Sequence, residues 1–157
     1  MALKSLDRAG WIRAGVDNPE SVAAHSWGVA MLTLVLLPEG LDRGLALTYA
    51  ILHDLAEVRT GDITPLDGVS SQDKARLETD AMVSFCDALP DDILAIWRAY
   101  EAQVDAESRF VRQLDRLDMA LQAAVYEHAD GLDLSEFKAS AAEVIEDLSL
   151  REILRQI

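Results

Sequence analysis

Apolar residues recur at helical spacing along most of the chain, and no segment sustains the every-second-residue alternation of a half-buried strand. The clearest stretch runs from about Asp105 to His128, where Val111, Leu114, Leu117, Leu121 and Val125 share one helical face. A sheet is therefore not expected, and the pattern predicts an all-α fold. Pro19-Glu20-Ser21 opens another helix to about Leu37, and from Val29 onward it is apolar nearly all round, as a central buried helix would be. A further helix is predicted over 41–59, stopped by Gly61 and Pro65. Ser71 caps one to about Leu89, and Pro90-Asp91 starts a short one with Ile93, Leu94, Trp97 and Tyr100. A last helix spans Leu134 to the end, and residues 3–15 hold a short one broken at Gly10 or Gly15. Trp27 and Trp97 are predicted core residues, and Glu146-Asp147 solvated surface.

At 157 residues, with half of them hydrophobic, only 6% aromatic and 8 Gly and 4 Pro, the chain reads as one domain over 1–157, neither disordered nor a turn-rich sandwich. Its formal charge of −14 would repel duplex nucleic acid or an anionic membrane. Any anionic ligand would need a cation or a local arginine cluster. The single cysteine, Cys86, excludes an intrachain disulfide and thiolate zinc sites, and its apolar neighbours suggest a buried thiol. No leader-like segment stands out, and the longest apolar run, Val29 to Leu37, is about half the length that spans a bilayer. A cytoplasmic protein is the expectation.

Chemistry concentrates in two places. His53, Asp54 and Glu57 lie within one turn of an otherwise apolar stretch, Tyr49 to Glu57. Burying two carboxylates and an imidazole is costly without a compensating charge, and a metal ion is the simplest one. His25 sits on the apolar face of the earlier helix, between Val22 and Val29. Asp115 and Asp118 lie near arginines on the long helix; spacing alone does not choose between them, and both read equally as a solvated stripe.

His25, then His53-Asp54, then a distant aspartate resembles the HD-domain phosphohydrolases. Arg8-Ala9-Gly10-Trp11 and Pro19-Glu20-Ser21-Val22-Ala23-Ala24-His25 resemble the opening signature of their 5′-deoxynucleotidase branch. His53-Asp54-Leu55-Ala56-Glu57, Gly61-Asp62-Ile63, Phe110 to Asp115 and Gln122 to Glu127 continue it in order, over about residues 8–127. The resemblance implies an HD-domain helical bundle of about six to seven helices. It implies His25, His53, Asp54 and Asp115 as metal ligands, selecting Asp115 over Asp118. Glu57 and Asp62 match acidic residues at the reaction centre, and Trp11 matches a nucleotide-contacting aromatic. Gly10 stands where some members carry arginine, so Arg8 or Arg13 would supply the phosphate cation.

Two imidazoles and two carboxylates would leave about two of six positions open on one divalent ion, whether Mn, Co, Mg, Fe, Ni or Zn. The resemblance further implies a small nucleotide substrate, hydrolysis of (deoxy)nucleoside 5′-monophosphates, and a homodimer or higher homo-oligomer. Alternatives are triphosphate release from a deoxynucleoside triphosphate at the same site, or a non-catalytic helical metal-binding module.

Overall fold

A computed structural model describes residues 2–85, 88–90 and 92–157; Cys86 lies outside them. The described residues contain helices and turns, with one isolated bridge between Asp7 and Ser21 and no strand. The helices are α1 (Ala9–Arg13), α2 (Val22–Leu36), α3 (Arg43–Leu52), α4 (Glu57–Thr60), α5 (Ser71–Val83), α6 (Ile93–Glu101), α7 (Ala106–Asp130), α8 (Ser135–Val144) and α9 (Leu148–Leu154). The all-α expectation holds, with more segments than expected because two predicted helices are broken.

The long helix α7 organises the rest. Asp105 and Ser108 form a reciprocal capping box at its start, and Gly131, at φ 69°, takes the left-handed turn that ends it. Val111, Leu114, Leu117, Ala120 and Ala123 are fully buried along one side, packed with α2, α3 and α8. Val125, expected on that side, is exposed.

The stretch predicted as one helix over 41–59 breaks after Leu52. Leu55 N–H donates to Leu52 O and Glu57 N–H to Asp54 O, so the chain tightens to three-residue hydrogen bonding before α4 begins. The C-terminal helix breaks at Ile145. Gln113 Oε1 on α7 accepts from the backbone N–H groups of Glu146 and Asp147 at 2.7 and 2.8 Å. The Asp147 carboxylate then caps α9, so it works as a helix start rather than as solvated surface.

Only one side of α2 is buried. His25, Ser26, Val29 and Thr33 face inward, whereas Trp27 is 67% exposed and Val35 72%. Neither the all-round burial of this helix nor the core placement of Trp27 is what the fold adopts. Trp97 is in the core. No described helix is long and apolar enough to cross a membrane.

Candidate metal centre

α2, the end of α3 and α7 meet at a cluster of imidazoles and carboxylates. His25, fully buried on α2, places Nε2 3.0 Å from Asp115 Oδ1 and Nδ1 2.7 Å from Asp118 Oδ2. His53, just past α3, donates from Nδ1 to the Ala50 carbonyl at 2.9 Å, which occupies an oxygen near the open helix end. Its Nε2 then faces His25 Nε2 at 3.4 Å. Asp54 Oδ2 lies 3.1 Å from His53 Nε2 and 3.8 Å from His25 Nε2. His25, His53 and Asp54 thus converge with two ring nitrogens and one carboxylate oxygen, and Asp115 meets this group through His25 Nε2.

Local fields reflect this crowding. Burial and the Arg8 charge pull the His25 pKa down, yet the carboxylates of Asp115 and Asp118 outweigh them and raise it to about 10. Burial opposes the charged form of His53 too, but Asp54 prevails and raises it. Asp54 and Asp115 are held well below the usual carboxylate range: burial works against them, and the neighbouring histidines and arginines win.

The donor set fits a divalent ion. Asp54 Oδ2 is enclosed and has no aligned hydrogen-bond donor, an expensive condition for a buried carboxylate oxygen. Two imidazole nitrogens and two carboxylates form a mixed nitrogen–oxygen set suited to Mn²⁺, Co²⁺, Fe²⁺, Ni²⁺, Mg²⁺ or Zn²⁺. The neighbouring carboxylates favour a second proton on the His25 ring, and ligation must expel it. Affinity therefore rises with pH. Titrations of the purified protein with Mn²⁺ between pH 6 and 8 check the sign, and an affinity that falls as pH rises contradicts it.

Glu57, at the start of α4, is 5% exposed, and its Oε2 has no hydrogen-bond partner. Burial first, then the charges of Asp54 and Asp62, push its pKa up to about 10. Asp62 uses Oδ2 to accept the Ala9 N–H at 2.7 Å, which ties the loop after α4 to the start of α1. Arg8, the residue before α1, reaches to 3.6 Å between Nη1 and Asp54 Oδ2, with only 15% of its side chain exposed. Burial disfavours its charge, but Asp54, Asp62, Asp115 and Glu57 together stabilise it.

Two residues named as substrate contacts lie elsewhere. Arg13 pairs with Asp67 beyond α4, so its charge is engaged outside the cluster. Trp11 is 1% exposed: Tyr126 and Phe137 pack against its ring at 5.4 and 4.3 Å between centroids, and Glu20 accepts its indole N–H at 3.0 Å. That leaves no ring face for a base, and Trp11 is a core anchor joining α1 to α7 and α8.

Asp118, read above as a non-ligand on a solvated stripe, touches the other nitrogen of His25 and is only 15% exposed. The available signal was its position one turn beyond Asp115 on the same face. Glu20 also lies near His25 and Asp118, within the spacing of a possible ligand group.

A profile of the HD domain matches residues 1–153. The chain belongs to the HD-domain family. It is 40% identical over 129 residues to the 5′-deoxynucleotidase HDDC2 of Bos taurus, covering 80% of this chain and 63% of that protein. It is 34% identical over 145 residues to the 5′-deoxynucleotidase hdd1 of Schizosaccharomyces pombe, covering 86% and 73%. The HD-domain chain thus spans somewhat less than two thirds of the length of its mammalian relatives. Among solved structures, the PH0347 protein from Pyrococcus horikoshii OT3 superposes with a TM-score of 0.83 at 36% identity, covering 99% of this chain and 92% of that one. A protein named as a predicted metal-dependent phosphohydrolase from Magnetospirillum magnetotacticum MS-1 gives 0.75 at 26% identity, covering 98% and 83%.

Proposed function

We propose that this HD-domain chain is a metal-dependent phosphomonoesterase that hydrolyses (deoxy)nucleoside 5′-monophosphates to nucleoside and phosphate. The convergence of His25 Nε2, His53 Nε2 and Asp54 Oδ2, with Asp115 Oδ1 against His25 Nε2, carries the reading. The activity named for its relatives supplies the substrate class. A divalent ion held by those four side chains would offset phosphate charge and polarise the P–O bond.

The chain's own residues do the remaining work. Arg8, buried against Asp54, donates charge-assisted hydrogen bonds to phosphate oxygens. Asp62 fixes the start of α1 and so aims Arg8, acting through position rather than on the substrate. Glu57 holds a proton at Oε2, the atom without a partner. Water attacks phosphorus, the bond to the sugar 5′ oxygen breaks, and Glu57 gives its proton to that oxygen. One of the water's protons then returns to Glu57 and the other stays on the phosphate.

Deoxynucleoside mono- and triphosphates assayed side by side, after chelation and re-addition of Mn²⁺, Co²⁺, Mg²⁺ or Zn²⁺, test the proposal. Metal-dependent release of free phosphate from monophosphates is expected. Triphosphate release would move the substrate class, and no hydrolysis with any ion would leave a non-catalytic metal-binding module.

We also assign the exposed apolar stripe of α2 to contact with a second copy of this chain. Trp27, Met31, Leu34 and Val35 follow one another along the helix, and Ile51 on the adjoining α3 is exposed as well. A patch of roughly a few hundred Å² is typical of an interaction face. Carrying no charge, it is where two chains of net charge −14 can meet without like-charge contact. Light scattering is expected to show an oligomer that Trp27→Glu with Val35→Glu converts to monomer at unchanged metal content. A monomeric wild type contradicts the assignment.

A further inference from the structure

We propose that Asp118 is the positioning residue that fixes the ring of His25, and that residue 28 is glycine to make room for it. The proposal rests on the reading of His25 as a metal ligand. It goes beyond that reading by giving a role to Asp118, an aspartate of α7 that spacing alone did not separate from Asp115.

Asp115 approaches His25 from the Nε2 side, where Asp54 and His53 also converge. Asp118, one turn further along α7, approaches from the Nδ1 side at 2.7 Å. A carboxylate can only accept there, so Asp118 holds the proton on Nδ1 and directs Nε2 toward the cluster. Such an outer carboxylate both orients an imidazole and makes it a better donor. His53 receives the equivalent support from a neutral group, the Ala50 carbonyl.

Gly28 supplies the second observation. It lies three residues after His25 on α2, in a helix interior where glycine is a poor choice by propensity. A Cβ built there would lie 2.3 Å from Asp118 Oδ1, 3.0 Å from Cγ and 3.2 Å from Oδ2. The carboxylate therefore rests against the bare backbone of α2, with one oxygen on His25 and the other over Gly28. A side chain at position 28 would force this carboxylate to shift against His25.

Titration of the full chain with Mn²⁺, together with ¹H–¹⁵N spectra of the metal-free protein, tests this. Asp118→Ala is expected to weaken Mn²⁺ binding by ~10–100-fold at a stoichiometry of one ion. It should also remove the protected Nδ1–H signal of His25 while leaving that of His53. Asp118→Asn keeps an acceptor oxygen without the charge and should lose less. Gly28→Ala should weaken Mn²⁺ binding and lower the melting temperature in the wild-type background. In the Asp118→Ala background, where nothing remains to displace, it should do neither. Binding by Asp118→Ala within ~3-fold of wild type would overturn the inference, since an outer-shell carboxylate should matter more than that. So would a Gly28→Ala penalty that persists in the double variant, or two ions bound by wild type with one lost in Asp118→Ala. A wild type that binds no Mn²⁺ would overturn the ligand reading as well, so the two failures are distinct.

Discussion

Asp115→Ala is expected to strip the divalent ion from the purified protein and abolish hydrolysis with it. Asp115 brings an oxygen from α7 to the Nε2 side of His25, at 3.0 Å, and its carboxyl is held ionised by His25, Arg116 and His53 against the cost of burial. Removing it takes away a charge that ligation needs as well as a donor atom. The loss should exceed the ~10–100-fold that an outer-shell substitution costs. Metal analysis after gel filtration, beside Asp118→Ala, separates the roles: Asp115→Ala should emerge without the ion, and Asp118→Ala should retain it at saturating Mn²⁺. The reverse order contradicts the assignment.

Glu57→Gln is expected to leave metal content and melting temperature near wild type and to lower turnover by at least ~10²-fold. The amide matches the carboxylic acid in shape, so the buried position tolerates it. The neutral amide cannot release a proton from the atom that Oε2 occupies. Glu57 touches none of the four ligands through a hydrogen bond, and its raised pKa comes first from burial and then from Asp54 and Asp62. Steady-state phosphate release with deoxynucleoside monophosphates checks it. Near-normal turnover in Glu57→Gln would remove this residue from the proton transfer.

The helices were legible because their apolar residues repeat with the helical period, and α7 declared itself through Val111, Leu114 and Leu117. The breaks were not. The interruption at Ile145 depends on Gln113, more than thirty residues away, offering one oxygen to two backbone N–H groups. The tightened turn after Leu52 involves residues that remain in right-handed helical backbone, so no glycine or proline marks it.

The cluster was legible for a different reason. His25 and His53-Asp54 stand out as polar groups in apolar surroundings, and the ordered blocks around them resembled the HD-domain phosphohydrolases. The face marked by Val22, His25 and Val29 is the buried one, but the apolar residues on the other side of α2 masked its exposure, and Trp27 was placed inward with them. Trp11 could not be placed from local pattern, because its ring partners, Tyr126 and Phe137, lie more than a hundred residues further along the chain. Asp118 was hidden by its spacing: it lies one turn beyond Asp115, near Arg116, as a solvated helix stripe would. The crossing of α7 against α2 sets them on opposite nitrogens of His25, with Asp118 against Gly28.

Anomalous diffraction from crystals of the wild-type chain grown with Mn²⁺ addresses the whole account in one measurement. A single manganese peak within bonding reach of His25, His53, Asp54 and Asp115, with Asp118 turned to the far nitrogen of His25, is the predicted result. A peak bound by Glu20 and Asp118, or no peak at saturating Mn²⁺, would contradict it.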